Sequence, residues 1–159
     1  MLIRDIMSSP VITVRPETSI QDVARLMRDR HISGVPVVTA DAELVGIVTE
    51  VDLIGQHAPL QEPHYISVLW ATIPLRFDDY SRYKEQVRHM LAVNAEQLMT
   101  EDPATLHPED TLETAAGLMV KPGHSSVPVV ENGRLVGIVT RTDLVRVIET
   151  LELNENSQT

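Results

Sequence analysis

Leu44-Val45-Gly46-Ile47-Val48-Thr49 and Leu135-Val136-Gly137-Ile138-Val139-Thr140 spell the same six letters, LVGIVT, twice in a chain of 159 residues. Two variable residues follow each copy, Glu50-Val51 or Arg141-Thr142, and then the dipeptide Asp52-Leu53 or Asp143-Leu144. A shared Val-Pro-Val-Val precedes both, at Val35-Pro36-Val37-Val38 and Val127-Pro128-Val129-Val130. Further upstream, Met7 to Val38 aligns on Met99 to Val130 without a gap at an offset of 92 residues, and one residue lost in the second copy's turn changes the offset to 91. Self-similarity of this length marks a duplicated structural unit.

Each copy reads as β-α-β-β-α. A short strand at Ile12 to Val14, or Thr105 to Leu106, is followed by a helix whose apolar positions form one stripe: Ile20, Val23, Leu26 and Met27 in the first copy, and Leu112, Ala115, Ala116, Leu118 and Met119 in the second. Pro16-Glu17-Thr18 carries the start signals of the first helix, and Lys121-Pro122-Gly123 the stop of the second. VPVV and LVGIVT are rich in β-branched residues and separated by the turn residues Ala40-Asp41-Ala42 or Glu131-Asn132-Gly133, so these runs are expected to be buried strands. A unit of roughly 50 residues is marginal alone. Two that pack with pseudo-two-fold symmetry share a core, which gives an α+β module with repeats at 1–55 and 97–150.

Residues 56–96 form an apolar and helical connector, with Tyr65 to Leu75 (YISVLWATIPL) followed by a helix expected over Asp78 to Val93. Asp78-Asp79 reads as its start, and Tyr80, Tyr83, Val87, Met90 and Leu91 fall on one side of it. This composition is too apolar for a flexible linker, and the connector, with Trp70, is expected to pack, across a dimer interface. Residues 151–159 are expected to be a fraying tail.

With 43% hydrophobic residues, the chain can bury roughly two-thirds of its unfolded surface. Its formal charge of −10 opposes broad attraction to nucleic-acid phosphates. Cysteine is absent, which excludes disulfides and thiolate chemistry and fits a reducing compartment. Arg4 and Asp5 interrupt the opening apolar stretch, so it reads as neither a signal peptide nor a membrane span, and a cytoplasmic location is expected. The six histidines lack helical two-ligand spacing, no metal site is expected, and no phosphate loop or nucleophile elbow points to catalysis.

The duplicated GIVTxxDL is the element that carries chemistry. Each copy ends a strand and opens a helix, where first-turn amides and the positive dipole end favour a phosphate. The threonine hydroxyl offers another donor, and the aspartate can accept from vicinal ribose hydroxyls. Thr-x-x-Asp is also a capping arrangement. Capping and binding are compatible.

The paired repeats resemble the tandem cystathionine β-synthase (CBS) domains, a Bateman pair, and the resemblance covers nearly all of residues 1 to 150. It implies head-to-tail repeats with two clefts, each drawing residues from both copies, and it implies AMP, ADP or ATP as ligand, or S-adenosylmethionine, with no catalytic cofactor and no enzymatic activity. One cleft would hold Ile138, Thr140, Arg141 and Asp143 with Val11, Thr13, Ile32, Ser33 and Gly34; the other Ile47, Thr49 and Asp52 with Thr105, His124, Ser125 and Ser126. The resemblance further implies a homodimer and an effector protein as partners.

Glu50 follows Thr49 whereas Arg141 follows Thr140, and Pro103-Ala104 replaces the bulkier Val11-Ile12. The Asp143 cleft is therefore expected to bind more tightly. A constitutive interaction scaffold and an unrecognised nucleotide hydrolase are the alternative readings.

Overall fold

The computed structural model describes residues 1–60, 65–68, 71–74 and 77–156. In chain order, a 3-10 turn at Ile3–Asp5 precedes α1 (Ile20–Arg30), β1 (Gly34–Val38), β2 (Leu44–Thr49), α2 (Glu50–Gly55), β3 (Tyr65–Val68), β4 (Ala71–Pro74), α3 (Phe77–Met90), α4 (Ala95–Leu98), β5 (Thr100–Glu101), α5 (Leu112–Met119), β6 (Ser126–Glu131), β7 (Arg134–Thr140) and α6 (Arg141–Asn156).

Local chemistry sets these boundaries. Ser19 caps α1 by accepting from the Asp22 N–H at 3.1 Å, just beyond the expected start signals, and Thr111 caps α5 by accepting from Thr114 N–H. The helix α1 has 11 residues and α5 only 8. In the repeat register Pro122 stands where α1 has Arg30; its ring cannot continue a helix, so α5 ends earlier. Val23 and Met27 are the buried members of the first stripe, and Ala115 and Met119 of the second.

The antiparallel pairs β1–β2 and β6–β7 follow equivalent registers, Gly34 opposite Thr49 and Ser126 opposite Thr140. Asn132 and Gly133, at φ 51° and 77°, make the tight turn before β7. The strands expected at Ile12 to Val14 and Thr105 to Leu106 reduce to single parallel bridges, Val14 to Val37 and Leu106 to Val129. Pro16 and Pro108 lie two residues beyond each bridge and have no N–H to extend a ladder.

The two cores are assembled by exchange. Leu2 to Ser8, at the start of the first repeat, packs on the second: Ile3 N–H donates to Asp110 O at 2.9 Å, Arg4 N–H to Pro108 O at 3.0 Å, and Ser8 bridges Ile138. Residues 95–101 make the reciprocal visit to the first repeat, through Ala95 N–H on Thr18 O at 2.8 Å, Glu96 N–H on Pro16 O at 2.9 Å, and β5 beside β2. Ile3 thus belongs to the core of Leu106, Val127, Val129 and Val139, and Ala95 and Leu98 to that of Val23, Val35, Val37 and Val48. Met7 lies against Gly137 and Met99 against Gly46, where no side chain could stand without displacing the thioether. Boundaries at 55 and 97 divide the sequence repeats but not these cores.

Across the pseudo-dyad Ser33 Oγ lies 3.1 Å from Ser126 Oγ. A Cβ at Gly34 would stand 2.7 Å from Ser126 Cβ and 3.6 Å from Thr49 Cγ2. Gly34 and Ser126 are repeat counterparts, so the close approach tolerates only one side chain. Gly34→Ala is expected to cost about 1–3 kcal/mol. Adding Ser126→Gly is expected to restore most of it, and denaturant melts showing simple additivity of the two changes would refute this contact.

The connector contains two strands not expected from sequence, β3 and β4, paired antiparallel with Tyr65 opposite Pro74. The expected helix is present as α3, ending at Met90 rather than Val93. Tyr83 and Val87 on its stripe are half-buried, but Tyr80, Met90 and Leu91 remain exposed. Gln56 Nε2 donates to Ala92 O at 2.7 Å, joining the end of α2 to the chain after α3. Trp70 lies outside the described residues. The tail expected over 151–159 is helical through Asn156, since Leu151, Glu152 and Leu153 are good helix formers with no Gly or Pro to stop them; residues 157–159 lie outside the described residues.

Candidate functional site

Both Thr-x-x-Asp sequences form closed caps. Asp52 Oδ2 accepts from Thr49 N–H at 2.7 Å and Thr49 Oγ1 at 3.0 Å; Asp143 Oδ2 accepts from Thr140 N–H at 2.8 Å and Thr140 Oγ1 at 2.7 Å. Each threonine hydroxyl proton is therefore directed to its aspartate, which corrects the expectation of a free donor for phosphate. One carboxylate oxygen is committed to the cap, and Asp143 Oδ1 stands 3.9 Å from Arg146 Nη1. The amide of Arg141 donates to Ser125 O at 3.1 Å and that of Asp143 to Thr140 Oγ1 at 3.3 Å, while Thr142 of the same turn lines the cleft.

A cleft of about 300 Å³ opens between the repeats. The segment Ser8, Pro10, Val11 and Ile12 forms one wall, His31 to Gly34 another, and Ile138, Thr140, Thr142, Asp143 and Arg146 the third. The exchange described above builds this site, because the bridge from Ser8 to Ile138 carries Pro10 and Val11 alongside β7. Val11, Ile32, Ser33, Gly34, Ile138, Thr140 and Asp143, all assigned from sequence, come together here. Thr13 instead lines an adjoining cavity with Pro10, Val11, Val38, Ala42, Leu135 and Val136.

Arg141 does not line the cleft. Its Nε donates to Met119 O at 3.1 Å and its Nη2 to Lys121 O at 3.4 Å, so the guanidinium is held by carbonyls at the end of α5. These are the unpaired acceptors at the negative end of a helix, which attract a cation. The cation that lines the cleft is Arg146, one turn along α6 from Asp143. Sequence reading missed Arg146, His31, Thr142, Ser8, Pro10 and Ile12; helical spacing from Asp143 could have found Arg146.

The counterpart region is less open in chemistry. Ser126 is 4% exposed and bonded to Ser33, His124 Nδ1 lies 2.9 Å from Pro122 O, and Thr105 is exposed. Ser125 O holds the Arg141 amide, and Ile47 and Thr49 are buried in β2. Burial raises the Asp52 carboxyl above its ordinary value near 3.8, opposed by the two Thr49 hydrogen bonds and by His89 of α3. The folded chain therefore binds the Asp52 proton more tightly than the unfolded chain. This stabilisation is full below the ordinary carboxylate value and is lost as pH rises through the raised one. In acid-to-neutral denaturation series, Asp52→Asn is expected to gain on the natural protein as pH rises; a constant difference would contradict the burial argument.

Two interlocked β-α-β-β-α repeats enclosing a cleft of small-molecule size define a repeat-pair module whose site belongs to neither repeat alone. The chain belongs to the CBS domain family: the family model matches residues 3–57 and 95–150. It is 34% identical over 156 residues to the uncharacterized protein MJ1426 of Methanocaldococcus jannaschii, covering 93% of this chain and 91% of that one. It is 27% identical to the chloroplastic CBS domain-containing protein CBSX2 of Arabidopsis thaliana, spanning 84% of this chain but only 56% of that protein. A crystal structure of CBSX2 in complex with AMP superimposes with a TM-score of 0.75 at 25% identity, covering 94% of this chain and 97% of that one. The CBS domain pair of protein MJ0100, in complex with 5′-methylthioadenosine and S-adenosyl-L-methionine, gives 0.68 at 27% identity, with coverage of 94% and 97%. No helix among the described residues is long and apolar enough to cross a membrane.

Proposed function

We propose that this chain is a regulatory adenine-nucleotide sensor that takes AMP, ADP or ATP, with S-adenosylmethionine as a related ligand, chiefly in the cleft at Asp143. The observation that carries the reading is the placement of Asp143 inside a cleft formed by both repeats, with one carboxylate oxygen outside the cap. That oxygen is available to a ribose hydroxyl, while Thr142 and Arg146 present polar and cationic groups farther along α6. The relatives bound to AMP and to S-adenosylmethionine support an adenosine-type ligand.

Exposed apolar side chains on α2, Val51 and Ile54, and on α6, Val145, Ile148 and Leu151, support assembly into a homodimer through the CBS pairs. A ligand that bridges both repeats favours one relative placement of α2 and α6, and so changes dimer geometry or effector binding by its differential affinity for the two placements. Calorimetric titration with AMP, ADP, ATP and S-adenosylmethionine, with X-ray scattering before and after saturation, tests both parts. Heat at one site together with altered scattering supports the sensor; absence of heat from every ligand removes it, and superimposable curves remove the switching.

A further inference from the structure

We infer that the Asp143 cleft selects 5′-phosphorylated adenosine over the unphosphorylated nucleoside, and that His31 and Arg146 make the selection from opposite walls. This rests on the reading of the cleft as an adenosine site, and narrows it. His31 comes from the end of α1 in one repeat, and Arg146 from α6 in the other. In the repeat register the counterpart of His31 is Gly123 and that of Arg146 is Gly55. The second cleft therefore lacks a side chain at both positions, so the cationic pair belongs to one cleft of the module and not to the repeat as such.

The backbone at His31 matches that of its glycine counterpart. It ends α1 in the left-handed conformation at φ 54°, and Gly123 occupies the same region at φ 83°. Glycine adopts this conformation freely, and histidine is one of the few side chains found there with some frequency. The amides of His31 and Ile32 close the helix end on Arg28 O and Met27 O, bonds that a glycine would make equally well. The imidazole therefore stands where the other repeat has glycine, and it lines the cleft that Arg146 also lines. Arg146 is 74% exposed, with only the 3.9 Å approach to Asp143, so its charge is free to turn to an anion without breaking a buried contact. His31 also lines an adjoining groove together with Arg28 and Glu50.

Isothermal titration of AMP and adenosine into the natural protein, His31→Gly, Arg146→Gln and Asp143→Ala tests the inference. AMP is expected to bind the natural protein at least tenfold more tightly than adenosine. His31→Gly and Arg146→Gln are each expected to weaken AMP by roughly five- to tenfold while adenosine affinity stays within about twofold, whereas Asp143→Ala weakens both ligands. His31→Gly is expected not to lower the melting temperature, since glycine adopts the left-handed conformation freely. Equal affinities for AMP and adenosine in the natural protein, or parallel losses of both in the two cation variants, overturn the selection while leaving an adenosine site. Absence of binding by either ligand overturns the sensor reading, and the selection with it.

Discussion

Ile3→Ala lowers stability by about 2–4 kcal/mol, the range for truncating a fully buried aliphatic side chain and leaving a cavity. A residue so near a terminus is ordinarily among the most tolerant of change. Ile3 is different because it is 0% exposed and packed in the core with Leu106, Val127, Val129 and Val139, more than a hundred residues away in the chain. Two backbone bonds hold it there, from its own amide to Asp110 and from Arg4 to Pro108, and an ion pair joins Arg4 to Glu109. The exposed ion pair contributes little beside the apolar contact. For a chain of this length the loss corresponds to roughly 5–15 °C in melting temperature. Urea denaturation of the natural and variant proteins measures it; a difference under about 0.5 kcal/mol would mean that the leading segment is not part of the second core.

If the proposed reading holds, Asp143→Ala is expected to weaken adenine-nucleotide binding by roughly a hundredfold, and Asp52→Ala to leave the tighter event within about threefold. The first value follows from losing a charge-assisted acceptor in a partly enclosed cleft, about 3 kcal/mol. Part of any Asp143→Ala effect is structural, since the same carboxylate caps α6 and its removal costs about 1 kcal/mol of stability. Asp143→Asn separates the two contributions. It keeps an oxygen for Thr140 N–H and so retains most of the cap, but it loses the negative charge that a ribose donor would meet. Nucleotide affinity well below that of the natural protein, at nearly natural melting temperature, is the expected signature. Loss of the tighter event on changing Asp52 alone would place the nucleotide in the other cleft.

The strands and their pairing were legible because they depend on local pattern. The runs VPVV and LVGIVT carry their β propensity and their turns with them, and duplication pins the register twice over. Exchange of the leading segments was less visible, although its trace is present: Ile6-Met7 and Leu98-Met99 continue the repeat register upstream of the first strand. What no periodicity states is which copy each segment visits, since both cores offer equivalent sockets, Gly137 for Met7 and Gly46 for Met99.

Of the residues lining the cleft, Asp143 was among those assigned from sequence, whereas Arg146 and His31 were not. Arg141 was assigned to the cleft by adjacency to Thr140, but adjacent residues on a helix point in different directions, and the end of α5 offered carbonyls nearer to hand. Arg146 lines the cleft from one helical turn beyond Asp143, and His31 from the other repeat, so both depend on tertiary placement. Composition read the connector as apolar and packed; the pairing of β3 with β4 falls in a run with no Gly or Asn to announce a hairpin.

The reciprocal exchange also orders events during synthesis. Residues 2–8 leave the ribosome well before residues 134–140, whose strand β7 carries their socket. At about 5–20 residues per second, the segment waits on the order of ten seconds with Ile3 and Met7 uncovered. The first repeat meets a shorter delay, since α4 and β5 arrive midway through translation and complete its core at once. The first core can therefore close before the second, which waits for β7 although residues 2–8 are made long before it.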